Sequence, residues 1–337
     1  MDALEHVELQ NLPRVAEGAE FVPVEELAAA SNIVVDGGRV PGTVLSLSHR
    51  PLSGTPQGLR ADTSALIVDR YLETQAGGEA VGAVTNDHYD EDGLFGIWLM
   101  LERPAQGSPQ RRLAIAAAEA GDFSTWSDPW AARVAIAAMA MAERATTPFP
   151  EVGRALAEAG GRDPAGRLYR AILPRTAGLL ADPERYRLLW SREWERVEAD
   201  IALIDAGDVA IEDEERADLA ILRTPRPLHP LAVYPRTTRM RVLTATPDGT
   251  LVLIHRYETW VDYASRALAP RVDLSPLAQI LQLHEQQAGR WLFEGVATIM
   301  PRLFLAATTG GPARPAPSSI GADALVAELI AFLETNR

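Results

Sequence analysis

Residues 80–101 read as a buried strand, an acidic turn and a helix, and that order restricts the fold more than any other stretch of the chain. Ala80 to Val84 is a short apolar run, and Leu94-Phe95-Gly96-Ile97-Trp98-Leu99-Met100-Leu101 is a second, of helical character. Between them lies Thr85-Asn86-Asp87-His88-Tyr89-Asp90-Glu91-Asp92-Gly93. His88, Asp90 and Asp92 fall at i, i+2 and i+4, so an extended backbone would project all three from one face. Three such ligands converging at the end of a strand make a divalent metal site, with Mn²⁺, Mg²⁺ or Fe²⁺ favoured over structural zinc. An EF-hand loop does not fit. Gly93 would take its sixth position, but His88 would take the first, and Leu99 would stand where a bidentate glutamate belongs.

The neighbouring pattern is α/β. Asn32-Ile33-Val34-Val35-Asp36 reads as a buried strand ended by Gly37-Gly38, and Thr43 to Ser48 as a second strand. A loop from His49 to Pro56 follows, and Asp62-Thr63-Ser64 caps a helix running to about Glu73. Residues 1–31 read as a lead-in with a short helix at Pro23 to Leu27. Alternating strands and helices imply a parallel sheet, with sites at the carboxyl ends of its strands. The pattern turns helical over 111–206, with an alanine-rich helix at Ala131 to Glu143 and a long amphipathic one from Glu184 to Asp205, ended by Gly207.

After Gly207 short strands dominate: Val209 to Ile211, Leu219 to Leu222, Met240 to Leu243 and Leu251 to Ile254, the last two joined at Pro247-Asp248-Gly249. A helix over Ser275 to Glu285 and a strand over Arg290 to Val296 complete the pattern. The expected organisation is therefore an α/β metal-site domain over 1–110 with a parallel sheet, a helical connector over 111–206, a smaller α+β substrate-binding domain over 207–306, and a linker and final helix over 307–337.

Composition narrows the chemistry. The chain has 337 residues and a formal net charge of −14, which argues against long nucleic acid as partner. No apolar run is long enough for a membrane helix, and the acidic start Met1 to Glu5 carries no secretory pattern, so a cytoplasmic protein is expected. There is no cysteine and no lysine; all 32 basic residues are arginine. Thiol catalysis, Schiff-base chemistry and a P-loop are thereby excluded, and anions must be held by arginine, histidine or backbone N–H groups. Gly37-Gly38 lacks the rest of a dinucleotide fingerprint. In the second half, strand alternation over Ile254 to Trp260 would put Arg256, Glu258 and Trp260 on one face, where they could recognise a phosphate and a planar group. Arg266, Arg271 and Arg302 are further anion candidates.

His88-Tyr89-Asp90-Glu91-Asp92-Gly93-Leu94 resembles the first motif of the DHH phosphoesterases, and the layout of parallel domain, helical connector and smaller C-terminal domain is similar to theirs. The chain as a whole resembles an uncharacterised bacterial family of that type, through Ser48-His49, Thr55-Pro56, Asp62-Thr63-Ser64, the 86–93 motif, Gly121-Asp122-Phe123 and Arg256-Tyr257-Glu258 with Trp260. The resemblance implies catalytic Mn²⁺ or Mg²⁺, usually two ions, with His88, Asp90 and Asp92 as ligands. The Asp-His-His motif that names the superfamily is absent, as is its Gly-Gly-Gly-His segment; Leu283 to Gln287 stands in the latter's place. A second ion would then need His49, Asp62 or Asp122, with His49 as ligand or proton donor. The expectation is a divalent-metal-dependent hydrolase of a small phosphate ester or short nucleotide. The alternative is a metal- or nucleotide-binding protein of the same fold without hydrolysis.

Overall fold

Ile33, Val34 and Val35 offer no polar face, and the strand they form is buried along its whole length. In the computed structural model, which describes residues 8–143, 145–158, 164–307 and 312–336, that strand lies inside a four-stranded parallel sheet. Its strands are β1 (Arg14–Phe21), β2 (Asn32–Val35), β3 (Thr43–Leu47) and β4 (Ala80–Thr85), in the order β1-β4-β2-β3. A fully apolar strand is what burial on both faces requires in such a sheet. Helix α1 (Ser64–Glu73) starts at Thr63, whose hydroxyl accepts the Leu66 N–H at 3.2 Å. Helix α2 (Glu91–Glu102) packs on β1, β2 and β4 and is buried from Asp92 to Met100, which is why its sequence is apolar all round.

Three corrections to the sequence reading arise here. Residues 14–21 form a strand within the expected lead-in, and only a short 3₁₀ turn (Val24–Glu26) stands where a helix was expected. As the sheet's edge, β1 buries little besides Val15 and Phe21, so it shows no apolar run. The stretch 88–92 is not extended: Asp90 is the N-cap of α2, its Oδ1 accepting the Gly93 N–H at 2.8 Å, and Asp92 already lies in the first helical turn. His88, Asp90 and Asp92 therefore do not share one strand face.

Helices α3 (Pro109–Phe123), α4 (Pro129–Ala142), α5 (Pro150–Glu158), α6 (Ala165–Ala181) and α7 (Arg187–Asp205) fill the expected helical region. The chain divides into two compact units, Met1–Glu195 with Val261–Ala267, and Arg196–Trp260 with Leu268–Arg337. The division falls within α7, so most of the helical region belongs with the parallel sheet.

The second unit is built on a six-stranded mixed sheet of β5 (Ala210–Glu214), β6 (Leu219–Arg223), β7 (Arg241–Ala245), β8 (Leu251–His255), β9 (Arg290–Phe293) and β10 (Arg302–Ala306), in the order β5-β6-β7-β8-β10-β9. Only β6 and β7 run parallel; a short helix α8 (Pro230–Val233) lies between them in sequence. Period-two alternation splits their side chains between two cores: Leu219, Ile221 and Leu243 join Leu303, Leu325 and Leu329, while Ala220, Leu222 and Val242 pack with Val233 and Tyr234. The helices α9 (Ser275–His284) and α10 (Ala322–Thr335) cover the first of these. Of the linker expected over 308–319, residues 308–311 lie outside the described residues, and so does the Met1 to Glu5 start. Pro315 and Pro317 form isolated bridges to Ala306 and Thr250. No described helix is long and apolar enough to cross a membrane.

Candidate metal centre

The carboxyl ends of β2, β3 and β4 are adjacent, and each is followed by a polar residue that turns inward. Asp36 follows β2, Ser48-His49 follows β3, and the 86–92 turn follows β4. Asp36 adopts the left-handed region at φ 60°. Aspartate tolerates that conformation, at a cost of about 1–3 kcal/mol that a functional site can sustain. The last turn of α3 adds Asp122.

Asp36 stands at the middle of the resulting cluster. Its Oδ1 lies 3.4 Å from His49 Nε2, and its Oδ2 lies 3.2 Å from His88 Nε2. His49 Nε2 also lies 3.7 Å from Asp92 Oδ2 and 3.4 Å from Asp122 Oδ2. His88 Nε2 lies 2.8 Å from Asp90 Oδ2. Asp36, His49 and Asp92 form a buried group that could hold a metal ion, and Asp36, His88 and Asp90 form a second, less buried group whose ligand atoms also lie within 4.8 Å of one another. The two groups share one carboxylate, with one oxygen directed to each.

Each member is held by local structure. Asp92 accepts the first N–H groups of α1, from Ser64 at 2.6 Å and Ala65 at 2.7 Å. The Ser64 hydroxyl donates to Asp36 Oδ1 at 2.7 Å and accepts the His49 N–H at 3.2 Å. His49 Nδ1 faces the Asp62 carbonyl at 2.5 Å. A carbonyl can only accept, so Nδ1 carries a proton and Nε2 is the ring nitrogen turned to the three carboxylates. Gly93 is required by close approach: a Cβ there would collide with the Tyr169 hydroxyl and the Asn86 amide, which hydrogen-bond at 2.9 Å behind the turn.

The electrostatics are strained. Burial pushes the Asp92 carboxyl up to about 7, with the Asp36 charge adding to the rise. Burial and the charges of Asp92, Asp90 and Asp36 push Asp122 well above the usual carboxylate range, and burial with the Asp90 charge takes Glu91 to about 8. Asp90 is raised by burial and by Asp36. Burial also opposes ionisation of Asp36, but the His88 hydrogen bond and the charges of both imidazoles hold it below the ordinary range. His88 is penalised by burial and nevertheless raised, through its bonds to Asp36, Asp87 and Asp90. Among the described residues no arginine pairs with Asp36, Asp90, Asp92 or Asp122. A carboxylate-rich buried cluster without a fixed cation is suited to a bound divalent one.

The other candidates sit differently. The Asp62 carboxylate is occupied by the N–H groups of Ala264 and Ser265, both at 2.8 Å, and by the Ser265 hydroxyl, so its contribution to the cluster is its main-chain carbonyl. In the second unit, the strand expected over 254–260 stops at His255, and Tyr257–Thr259 is a 3₁₀ turn, so strand alternation does not apply. Arg256 and Glu258 are each 2% exposed and pair with one another; the guanidinium also donates to the Thr237 carbonyl at 3.1 Å and lies over the Tyr234 ring. Trp260 stacks on Tyr257. Arg271 and Arg302 are engaged with the Val296, Thr298 and Ile299 carbonyls and with Glu294, respectively.

Asp36 is the member that motif reasoning passed over. Its signal was an acidic residue directly after a buried strand, at the same sheet end as the 86–92 turn. No curated protein and no solved structure matches the chain. A family model matches residues 17–337, which span the cluster and both units, and on that match the chain belongs to the family of unknown function DUF6687.

Proposed function

We propose that the protein is a divalent-metal-dependent hydrolase of small phosphate esters, with Mn²⁺ or Mg²⁺ bound in the two groups that share Asp36. The observation that carries this reading is the sharing itself. One buried carboxylate directs its two oxygens to two different His/Asp sets, the donor chemistry of a paired-ion centre. His49, Asp92 and Asp122 would hold one ion, His88 and Asp90 the other, and Asp36 would touch both. Bound there, divalent ions would make water a better nucleophile and offset charge developing on the phosphoryl oxygens.

The chain's own residues would perform the remaining tasks. The α1 N-terminus fixes Asp92 through two N–H groups, and the Asp62 carbonyl fixes the tautomer of His49. The raised Glu91 carboxyl, pushed up to about 8 by burial and the Asp90 charge, would exchange protons near neutral pH. The phosphoester part of the proposal rests on the resemblance of residues 88–94 to the DHH first motif.

Mn²⁺-dependent product release from a panel of phosphomonoesters, phosphodiesters and short dinucleotides tests the proposal, with Asp90→Asn/Asp92→Asn protein run beside it. Turnover by the native chain that the double variant lacks is the expected result. Metal binding without turnover across the panel would leave a metal-binding protein in place of a hydrolase.

A further inference from the structure

The two imidazoles of the cluster are oriented by different means. Each directs Nε2 at carboxylates and has an oxygen at Nδ1. For His49 that oxygen is the main-chain carbonyl of Asp62. For His88 it is a side chain, Asp87, with Oδ1 at 3.0 Å from Nδ1. Asp87 is in turn held from outside the turn. Arg50 Nη1 lies 3.3 Å from its Oδ1 and 3.2 Å from its Oδ2, and the Gly38 N–H donates to Oδ2 at 3.3 Å.

The Gly37-Gly38 pair gains a reason here. A Cβ on Gly37 would lie 2.9 Å from Asn86 Oδ1 and 3.2 Å from Asp87 Oδ1, and one on Gly38 would lie 3.3 Å from Asp87 Oδ2. The β2 turn must therefore be bare for the β4 turn to seat its side chains against it. Arg50 adjoins His49, and Asp87 adjoins His88, so one ion pair ties together the two segments that bring the imidazoles.

We infer that Asp87 is a positioning residue for metal binding. It accepts the Nδ1 proton of His88, which turns Nε2 toward the ion shared with Asp36 and Asp90, and Arg50 with the Gly38 N–H holds Asp87 in place. Carboxylate–histidine pairs of this kind set both ring orientation and ligand basicity. The inference rests on the metal reading above, but it concerns one ion site alone. The site containing His49 takes its orientation from the backbone and does not depend on Asp87.

Titration of metal-free full-length protein with Mn²⁺ by calorimetry, and with Co²⁺ by visible absorption, tests this. The expected result for Asp87→Asn is one ion weakened by about 10–100-fold with an altered Co²⁺ spectrum, and the other ion unchanged. Asp87→Glu should restore most of the affinity, and Arg50→Gln should give a smaller loss in the same site. Circular dichroism would establish that each variant is folded. Native binding of both ions by folded Asp87→Asn, or equal losses in Asp87→Asn and Asp87→Glu, would overturn this inference and leave the metal reading standing. A native chain that takes up neither ion would overturn both. Unfolding of Asp87→Asn would pass the decision to Arg50→Gln, where unchanged affinity at both sites counts against the inference.

Discussion

The Asp36 cluster in the first unit and the Arg256–Glu258 pair in the second are both buried, yet their charges are handled in opposite ways. Arg256 and Glu258 neutralise each other, and the guanidinium has a carbonyl and a ring besides. Asp90, Asp92 and Asp122 gather with Asp36 about two imidazoles, and Asp90, Asp92, Asp122 and the adjoining Glu91 are raised, first by burial and then by one another's charge and that of Asp36. A buried pair in which each charge faces its opposite needs no added ion for neutrality. A buried cluster with surplus negative charge is stable only if it takes up protons or cations. The difference supports the proposal of a metal centre around Asp36 and gives the Arg256–Glu258 pair a structural role within the second unit.

The largest effect that would sharpen this contrast is expected from Asp36→Asn. Removal of the shared ligand should abolish uptake of both ions and lower any phosphoester turnover by about 10³-fold or more, since such ions supply several kcal/mol of charge stabilisation. Metal analysis and initial rates would read it; a variant that keeps both ions would break the shared-ligand account.

The mirror experiment is Arg256→Ala. It strands a buried carboxylate and should cost about 3–5 kcal/mol in denaturant unfolding with ion affinity unchanged. Arg256→Met/Glu258→Leu should recover most of that loss. If Arg256→Ala instead left stability intact and raised the KM for a phosphate ester, the pair would be a substrate site after all.

A third test uses pH. The Asp92 carboxyl lies at about 7 in the metal-free chain against an ordinary value of 3.8. Between these values the folded state holds a proton that the unfolded state has lost. This group's contribution to stability is thus complete below 3.8 and disappears as pH rises through about 7. The denaturation midpoint of metal-free protein should therefore fall over that window, and Mn²⁺ should remove the decline. Asp92→Asn should lose part of that decline, and a decline unchanged in that variant would contradict the assignment.

The smallest effect is expected from Thr63→Ala. Loss of the α1 cap should cost about 1 kcal/mol in unfolding experiments and shift ion affinity little, because the N–H groups that hold Asp92 come from the backbone of Ser64 and Ala65.

What the sequence disclosed follows from how local each signal is. The strands over 32–35, 43–47 and 80–85 and the capped helix at 64–73 were legible because burial leaves continuous apolar runs and Thr63 marks the start. The edge strand 14–21 was not, since it has one exposed side and few apolar residues. The strand 302–306, central between β8 and β9, was also unread, although Leu303 to Ala306 is as continuous a buried apolar run as strand 32–35. At the cluster, His88, Asp90 and Asp92 stood out through their spacing, but the spacing implied the wrong geometry. An N-cap and a helical turn replace the extended stretch, and they divide the three residues between two groups. Asp36 and its link to His49 depend on strands 32–35 and 43–47 lying side by side, which no local pattern contains. Arg256 and Glu258 were read as a displayed face because an alternating polar stretch looks alike whether it ends in solvent or folds back on itself.

The most direct test of the central claim is anomalous scattering from crystals of the native protein grown with Mn²⁺. The account predicts two ions at the carboxyl ends of the parallel strands, with Asp36 bound to both, His49 on one and His88 on the other. Crystals with no ion there, or with Asp36 bound to neither, would contradict it.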